Sequence, residues 1–289
     1  MGVILARVRR VLATTAAILA LLVLAGATYQ GAATALERRQ FPHLGRLVDA
    51  GGHQLHIYCT GAGSPTVVLE APATGMSAAW GWVQPEVAQI TRVCSYDRAG
   101  LGWSEAGDRP YEPSAVAGEL HTLLERAQEP GPYVVVGHGL GATFATLYAA
   151  QFGVDVAGLV LVDPPVADPA QARNRMMRLV NASPWLARTG VLRATRTMSS
   201  NAAGLPGSSA GALGAFLNRP DHLTRAATEL SRWDEAVGLA ARAAIDPIIN
   251  VMRAEVAGHE RAALLTDAAQ ARKASNVITG VVEHVRARQ

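Results

Sequence analysis

From Val11 to Leu36 the chain carries no charged residue, 26 positions in a row, and this run constrains the molecule more than any other feature. As a helix it would cover roughly 39 Å, more than the ~30 Å hydrocarbon core of a bilayer requires. Its most apolar part runs from Val11 to Tyr29. Arg7, Arg9 and Arg10 precede it, and Glu37, Arg38 and Arg39 follow with one net positive charge. The excess of cations in front predicts that residues 1–10 are cytoplasmic. Residues 11–36 then form an uncleaved signal anchor that crosses the cell membrane once, with the globular part outside. Two other readings stay open. Ala25-Gly26-Ala27 has the small-residue pattern of a signal-peptide cleavage site. A buried helix of a soluble protein is the third, and the flanking arginines speak against it.

The rest of the 289 residues is enough for one large domain, read as residues 41–289. Apolar residues at 49% and charged residues at 17% exclude a disordered tail or a coiled-coil rod. Lys+Arg 26 against Asp+Glu 23 leaves a net charge of only +3. No basic run with interleaved aromatics occurs, so no nucleic-acid partner is expected. Two cysteines exclude a disulfide-rich miniprotein and a four-cysteine zinc module. No histidine pair has ligand spacing with a third partner, so neither metal nor cofactor is expected.

Short runs rich in Val, Ile, Leu and Tyr read as strands at Arg46–Asp49, Gln54–Cys59, Thr66–Glu70, Arg92–Asp97, Tyr133–Val136 and Leu159–Val162. Helical patterns fill Ser77–Ile90, Ala115–Ala127 and Leu140–Phe152. This alternation predicts an α/β fold, a mainly parallel sheet with helices on both faces. Residues 167–244 switch to helical segments broken by Pro184, a glycine-rich stretch and Pro220, and read as a helical cap inserted in the domain. A weak strand signal returns at Pro247–Val251, and Asn276–Arg288 reads as the last helix.

Three stretches carry a resemblance. They are Pro65-Thr-Val-Val-Leu-Glu-Ala71, Ser95-Tyr-Asp-Arg-Ala-Gly-Leu-Gly-Trp-Ser104, and Gly137-His-Gly-Leu-Gly141 after a strand. Together they resemble the α/β-hydrolase superfamily, in particular a membrane-anchored bacterial branch with a YDRAGxGWS turn. The resemblance covers about Gly45 to Pro165 and implies an eight-stranded sheet. It also makes the second and fourth strands neighbours. A disulfide between Cys59 and Cys94 then fits an oxidising compartment, with two buried thiols as the alternative.

In that superfamily the elbow reads G-x-S-x-G, with the nucleophile on a strained strand-to-helix turn and glycines where backbone passes closely. Here Gly139 stands at the serine position, while Gly137, His138, Leu140 and Gly141 keep the rest of the pattern. Glycine offers no atom to attack a carbonyl. By resemblance, the N–H groups of Ala73 and Leu140 are the candidate oxyanion donors. The loop that carries Ala73 reads Glu70-Ala-Pro-Ala-Thr-Gly75, and its Pro72 stiffens it. Asp163 and Asp246 are the positions available for an acid, with turn capping the plainer role for Asp163 before Pro164. A base histidine is expected just before the last helix. His259 is the nearest upstream, a distant match, and His284 falls inside the helix. His138 is read as orienting the turn, and His53 and His56 as satisfying local hydrogen bonds.

Further features have plainer readings. Gly100 and Gly102 do not make a phosphate loop. Trp80, Trp82 and Trp103 line a pocket or pack core and lid. Arg173, Arg175 and Arg178 form a solvated helix face or touch anionic lipid.

The expected function is a pseudoenzyme at the membrane that binds an apolar small molecule or docks a membrane-protein partner. Superfamily members with glycine at the nucleophile position and an intact turn are considered non-enzymatic. One alternative is an active ester-type hydrolase, using water activated by Asp163 or His259, or an improvised nucleophile such as Ser77 or Thr143. The other is an accessory subunit of a membrane complex.

Overall fold

The computed structural model describes residues 2–165, 180–254 and 265–288. Its centre is a sheet of seven strands among the described residues, one fewer than the eight expected. They are β1 (Arg46–Asp49), β2 (Gln54–Thr60), β3 (Thr66–Glu70), β4 (Val93–Tyr96), β5 (Tyr133–His138), β6 (Val156–Val162) and β7 (Asn250–Ala254). They lie in the order β1-β2-β4-β3-β5-β6-β7. The β1–β2 and β2–β4 pairs are antiparallel, and the other pairs are parallel.

Side-chain alternation sets the two layers. Val68, Val135, Leu159 and Leu161 face one hydrophobic cluster, and Val67, Leu69, Val134, Val136, Val160 and Val162 face the other. Helices α3 (Val116–Arg126) and α4 (Leu140–Gln151) cover the first face, and α2 (Val83–Val87) and α10 (Ala268–Arg288) cover the second. Both faces are buried, which explains the continuous apolar runs of the central strands.

The expected helix over Ser77–Ile90 is two short pieces, a 3-10 turn at Ser77–Trp80 and α2. Gly81 and Trp82 join them with helical backbone angles, and a side chain at Gly81 would meet Ser209. The last strand lies three residues later than expected, and the last helix starts eight residues earlier. Helices α5 (180–188), α6 (Val191–Thr195), α7 (Gly207–Phe216), α8 (Pro220–Ser231) and α9 (Trp233–Arg242) make up the described part of the inserted block.

Cys59 and Cys94 face each other across the β2–β4 pair and are joined by a disulfide. The strand adjacency that the resemblance implied thus holds.

The N-terminal helix α1 (Gly2–Gln40) is long and apolar enough, over Ile4–Gln40, to cross a membrane. Its uncharged run is not uniform. Residues 11–25 are exposed all round, whereas Gly26, Gln30, Ala33, Thr34 and Glu37 form a partly buried stripe at helical spacing. A Cβ on Gly26 would overlap the Thr189 carbonyl, so glycine permits close approach of α1 to the α5–α6 turn. Gln30 donates to the Asn218 carbonyl at 2.7 Å and accepts from Arg193 Nε at 2.9 Å. Arg193 also pairs with Glu37.

Candidate active site at the turn after β5

The turn between β5 and α4 has the shape its glycines imply. A Cβ on Gly137 would lie 2.5 Å from the Ala142 Cα, and one on Gly141 would lie 2.5 Å from the Ala71 carbonyl oxygen. Only glycine fits at either position. Gly139 sits between them at φ +55°, ψ −124°, as the residue capping α4. Its N–H donates to the Val162 carbonyl of β6 at 3.0 Å, which pins the turn against the neighbouring strand. A Cβ at Gly139 would have Pro72 Cβ as nearest atom, at an ordinary 3.7 Å. The elbow therefore keeps room for a side chain, and lacks the chemistry of one.

Leu140 is the first residue of α4, so its N–H is one of the four that a helix start leaves without an intrahelical partner. Ala73 is half-buried in the loop after β3. That loop is held firmly. Arg98 Nη1 donates to the Ala71 carbonyl at 2.7 Å and Nη2 to the Pro72 carbonyl at 3.2 Å, while the Gly75 N–H returns to Pro72 at 3.0 Å.

Asp163 follows β6 directly, at φ +46° and half-buried, next to the strand that pairs with β5. Asp246 accepts from the Ile248 N–H at 2.9 Å through Oδ1 and caps its own exposed turn, away from the elbow. His259, Arg173, Arg175 and Arg178 lie outside the described residues. His284 is inside α10, as expected. His138 is buried, and its Nδ1 has no hydrogen-bond partner among the described residues. Burial holds its imidazole down at about 4, so it is neutral near pH 7.

Sequence reasoning missed a buried ionic lock below the elbow. Arg98 of the turn after β4 donates through Nη1 to Glu70 Oε1 at 2.6 Å. Its Nε and Nη2 reach Glu229 on α8 at 3.0 and 2.8 Å. Tyr96 donates its hydroxyl to Glu70. Burial pushes the Glu70 carboxyl up to about 7, against the pull of Arg98 and Tyr96. Burial pushes Glu229 up too, but Arg98 and Arg225 outweigh it and hold that carboxyl below its usual range. His222 of α8 adds two bonds, accepting the Gly102 N–H at Nδ1 (3.0 Å) and donating from Nε2 to the Thr74 carbonyl (2.9 Å). Burial lowers its pKa, in keeping with this neutral form.

A second cluster joins Ser77, His56 and Asp97. His56 Nδ1 lies 3.0 Å from Asp97 Oδ2 and 3.4 Å from Ser77 Oγ. Asp97 also accepts the N–H groups of Ser77 at 2.6 Å and Trp103 at 2.9 Å. Burial would raise its pKa, but His56 and these donors outweigh it and keep the carboxylate ionised. One ring nitrogen faces both the hydroxyl and the carboxylate. A proton relay needs the two on opposite nitrogens, so these three residues do not form a catalytic triad. Thr143, the other improvised nucleophile, is buried within α4. Trp80 is a core residue, Trp82 donates to the Gly204 carbonyl at 2.9 Å, and Trp103 packs between His56 and Phe216.

The model of the alpha/beta hydrolase family matches residues 55–285. Among curated relatives, a Schizosaccharomyces pombe protein described as uncharacterized is 35% identical over 115 residues, 38% of this chain and 21% of the relative. N-formylmaleamate deformylase of Pseudomonas putida is 31% identical over 125 residues, 43% of this chain and 46% of that enzyme. The chain thus spans less than half the length of these relatives. The solved structure of the Cif epoxide hydrolase from Acinetobacter nosocomialis superposes with a TM-score of 0.67 at 14% identity, over 89% of this chain and 96% of that one. At that identity the likeness shows the fold alone.

Proposed function

Because the chain belongs to the alpha/beta hydrolase family, we propose that it is a catalytically inactive member which works by binding an apolar small molecule or a partner at a membrane. The observation that carries this reading is Gly139. It holds the elbow backbone, pinned to Val162 and flanked by two obligatory glycines, yet presents neither oxygen nor sulfur. The geometry of Ser77 and the burial of Thr143 support it, since neither offers a replacement nucleophile. The domain is assigned to the extracytoplasmic side of the cell membrane, with residues 1–10 in the cytoplasm. Arg7, Arg9 and Arg10 ahead of the apolar run support that orientation, and the Cys59–Cys94 disulfide supports an oxidising compartment.

The test is a serine-reactive fluorophosphonate probe on the full-length protein in detergent. No labelling of the wild type is expected, and stoichiometric labelling would overturn the reading in favour of a hydrolase. Gly139→Ser measures what remains of the machinery. Ester turnover by that variant would mean that a base, such as His259, and the Ala73 and Leu140 donors are still in place.

A further inference from the structure

One register of α1 fits a bilayer. Arg10 is the last charged residue before the apolar run, and Gln30 is the first described residue of α1 that is buried, held by Asn218 and Arg193. The 20 residues from Val11 to Gln30 rise about 30 Å as a helix, the thickness of the hydrocarbon core. Sliding the core forward along α1 would draw the Arg193–Glu37 ion pair into hydrocarbon, and sliding it back would draw in Arg10. On the domain's side, the edge of the hydrocarbon therefore falls at about the level of Gln30.

The α5–α6 hairpin reaches past that level. Its turn meets α1 at Gly26, where a Cβ would overlap the Thr189 carbonyl, and a Cβ on Gly190 would lie 3.2 Å from the Tyr29 ring. Gly26 stands four residues before Gln30, about 6 Å deeper along the axis, within the 5–10 Å at which interfacial helices settle. The surface of the hairpin matches that depth. Trp185 of α5 is 72% exposed, while the other four tryptophans are buried or half-buried. Leu186 of α5, Val191 of α6 and Tyr29 of α1 are exposed too. The Arg188 guanidinium lies 5.0 Å from the centre of the Trp185 ring. An exposed indole with a cation on its face suits the boundary between acyl chain and phosphate, where aromatic belts form.

We propose that the α5–α6 hairpin is a second membrane contact, in which Trp185, Leu186 and Val191 enter the leaflet on the domain's side beside α1 while Arg188 stays with the lipid phosphates. The occupant of this exposed apolar patch is thus the bilayer itself, continuous with the lipid around α1, and not a second copy of the chain. This goes beyond the pseudoenzyme reading and rests only on its membrane placement. The contact would fix the height of the domain as well as its attachment.

The test is quenching of tryptophan emission by brominated phosphatidylcholine in nanodiscs holding the full-length protein. The spectrum of the wild type minus that of Trp185→Phe isolates the Trp185 signal, and a side chain so exposed is replaced without loss of the fold. Bromine near the carbonyl end of the acyl chains is expected to lower that signal about twofold, and bromine near the terminal methyl to change it little. Sodium carbonate extraction of membranes carrying the full-length protein reads the anchor separately. A protein that resists carbonate but whose Trp185 signal ignores both lipids, as in a patch covered by a second copy, overturns the contact and leaves the anchor standing. Stronger quenching from the methyl end overturns the stated depth and with it the proposal. Release by carbonate overturns the membrane placement, and the contact falls with it.

Discussion

Arg98 and Glu229 meet in a two-pronged ion pair, Nε to Oε1 at 3.0 Å and Nη2 to Oε2 at 2.8 Å, with both side chains out of reach of solvent. The pair joins the turn after β4 to α8, 131 residues later in the chain. Removing one partner of such a buried pair leaves an uncompensated charge. Glu229→Ala is therefore expected to cost about 3–5 kcal/mol, and Glu229→Gln less, because the amide still accepts from Arg98. Urea titrations of the detergent-solubilised protein, followed by tryptophan fluorescence, read the difference.

The three glycines of the elbow are expected to behave differently. Gly137→Ala and Gly141→Ala drive a methyl into backbone that has no way to retreat, and should prevent folding or lower the melting point steeply. Gly139→Ala meets only Pro72 at 3.7 Å and pays for its backbone conformation alone, about 1–3 kcal/mol. Expression and thermal melts of the three variants rank them directly.

Acid should weaken the fold through His138. Its folded pKa is about 4, below the unfolded value near 6.5, so the unfolded chain takes up a proton first as the pH falls. Its stabilising contribution is complete above pH 6.5 and lost by about pH 4, a total of about 3 kcal/mol. His222 acts in the same sense. Glu70, raised to about 7, acts in the opposite one, with stability lost as the pH rises from 4.5 to 7. The pH profile of His138→Gln minus that of the wild type isolates the first effect, and a flat difference between pH 7 and 4 would refute it.

Reduction of the Cys59–Cys94 bridge, which closes a separation of 35 residues, is expected to cost about 3–4 kcal/mol. The double variant Cys59→Ser, Cys94→Ser should show the same loss and become insensitive to dithiothreitol.

The elbow was legible because its parts are consecutive in sequence. Five residues specify the turn, and the structure finds each glycine where a side chain would collide or where φ is positive. The Cys59–Cys94 bridge followed once the order of β2 and β4 was known. The ionic lock was not legible, because Arg98 reads as part of a turn and Glu229 as the polar face of an amphipathic helix. Only the tertiary fold buries them together. The seam on α1 was hidden for a different reason. Gln30 and Thr34 carry no charge, so a test for uncharged length counts them as lipid-facing. Pairing with Arg193 and Asn218 shows only in three dimensions. The break at Gly81 was missed because Gly81 and Trp82 keep helical backbone angles, so the apolar periodicity runs on through the junction.

The docked stripe from Gly26 to Glu37 has a mechanical consequence. A domain joined to its leading helix by a flexible leash samples every tilt relative to it, whereas this one is docked along that helix. Arg193 and Asn218 grip that helix from the side, so any tilt of its exposed residues 11–25 is passed into the body of the protein.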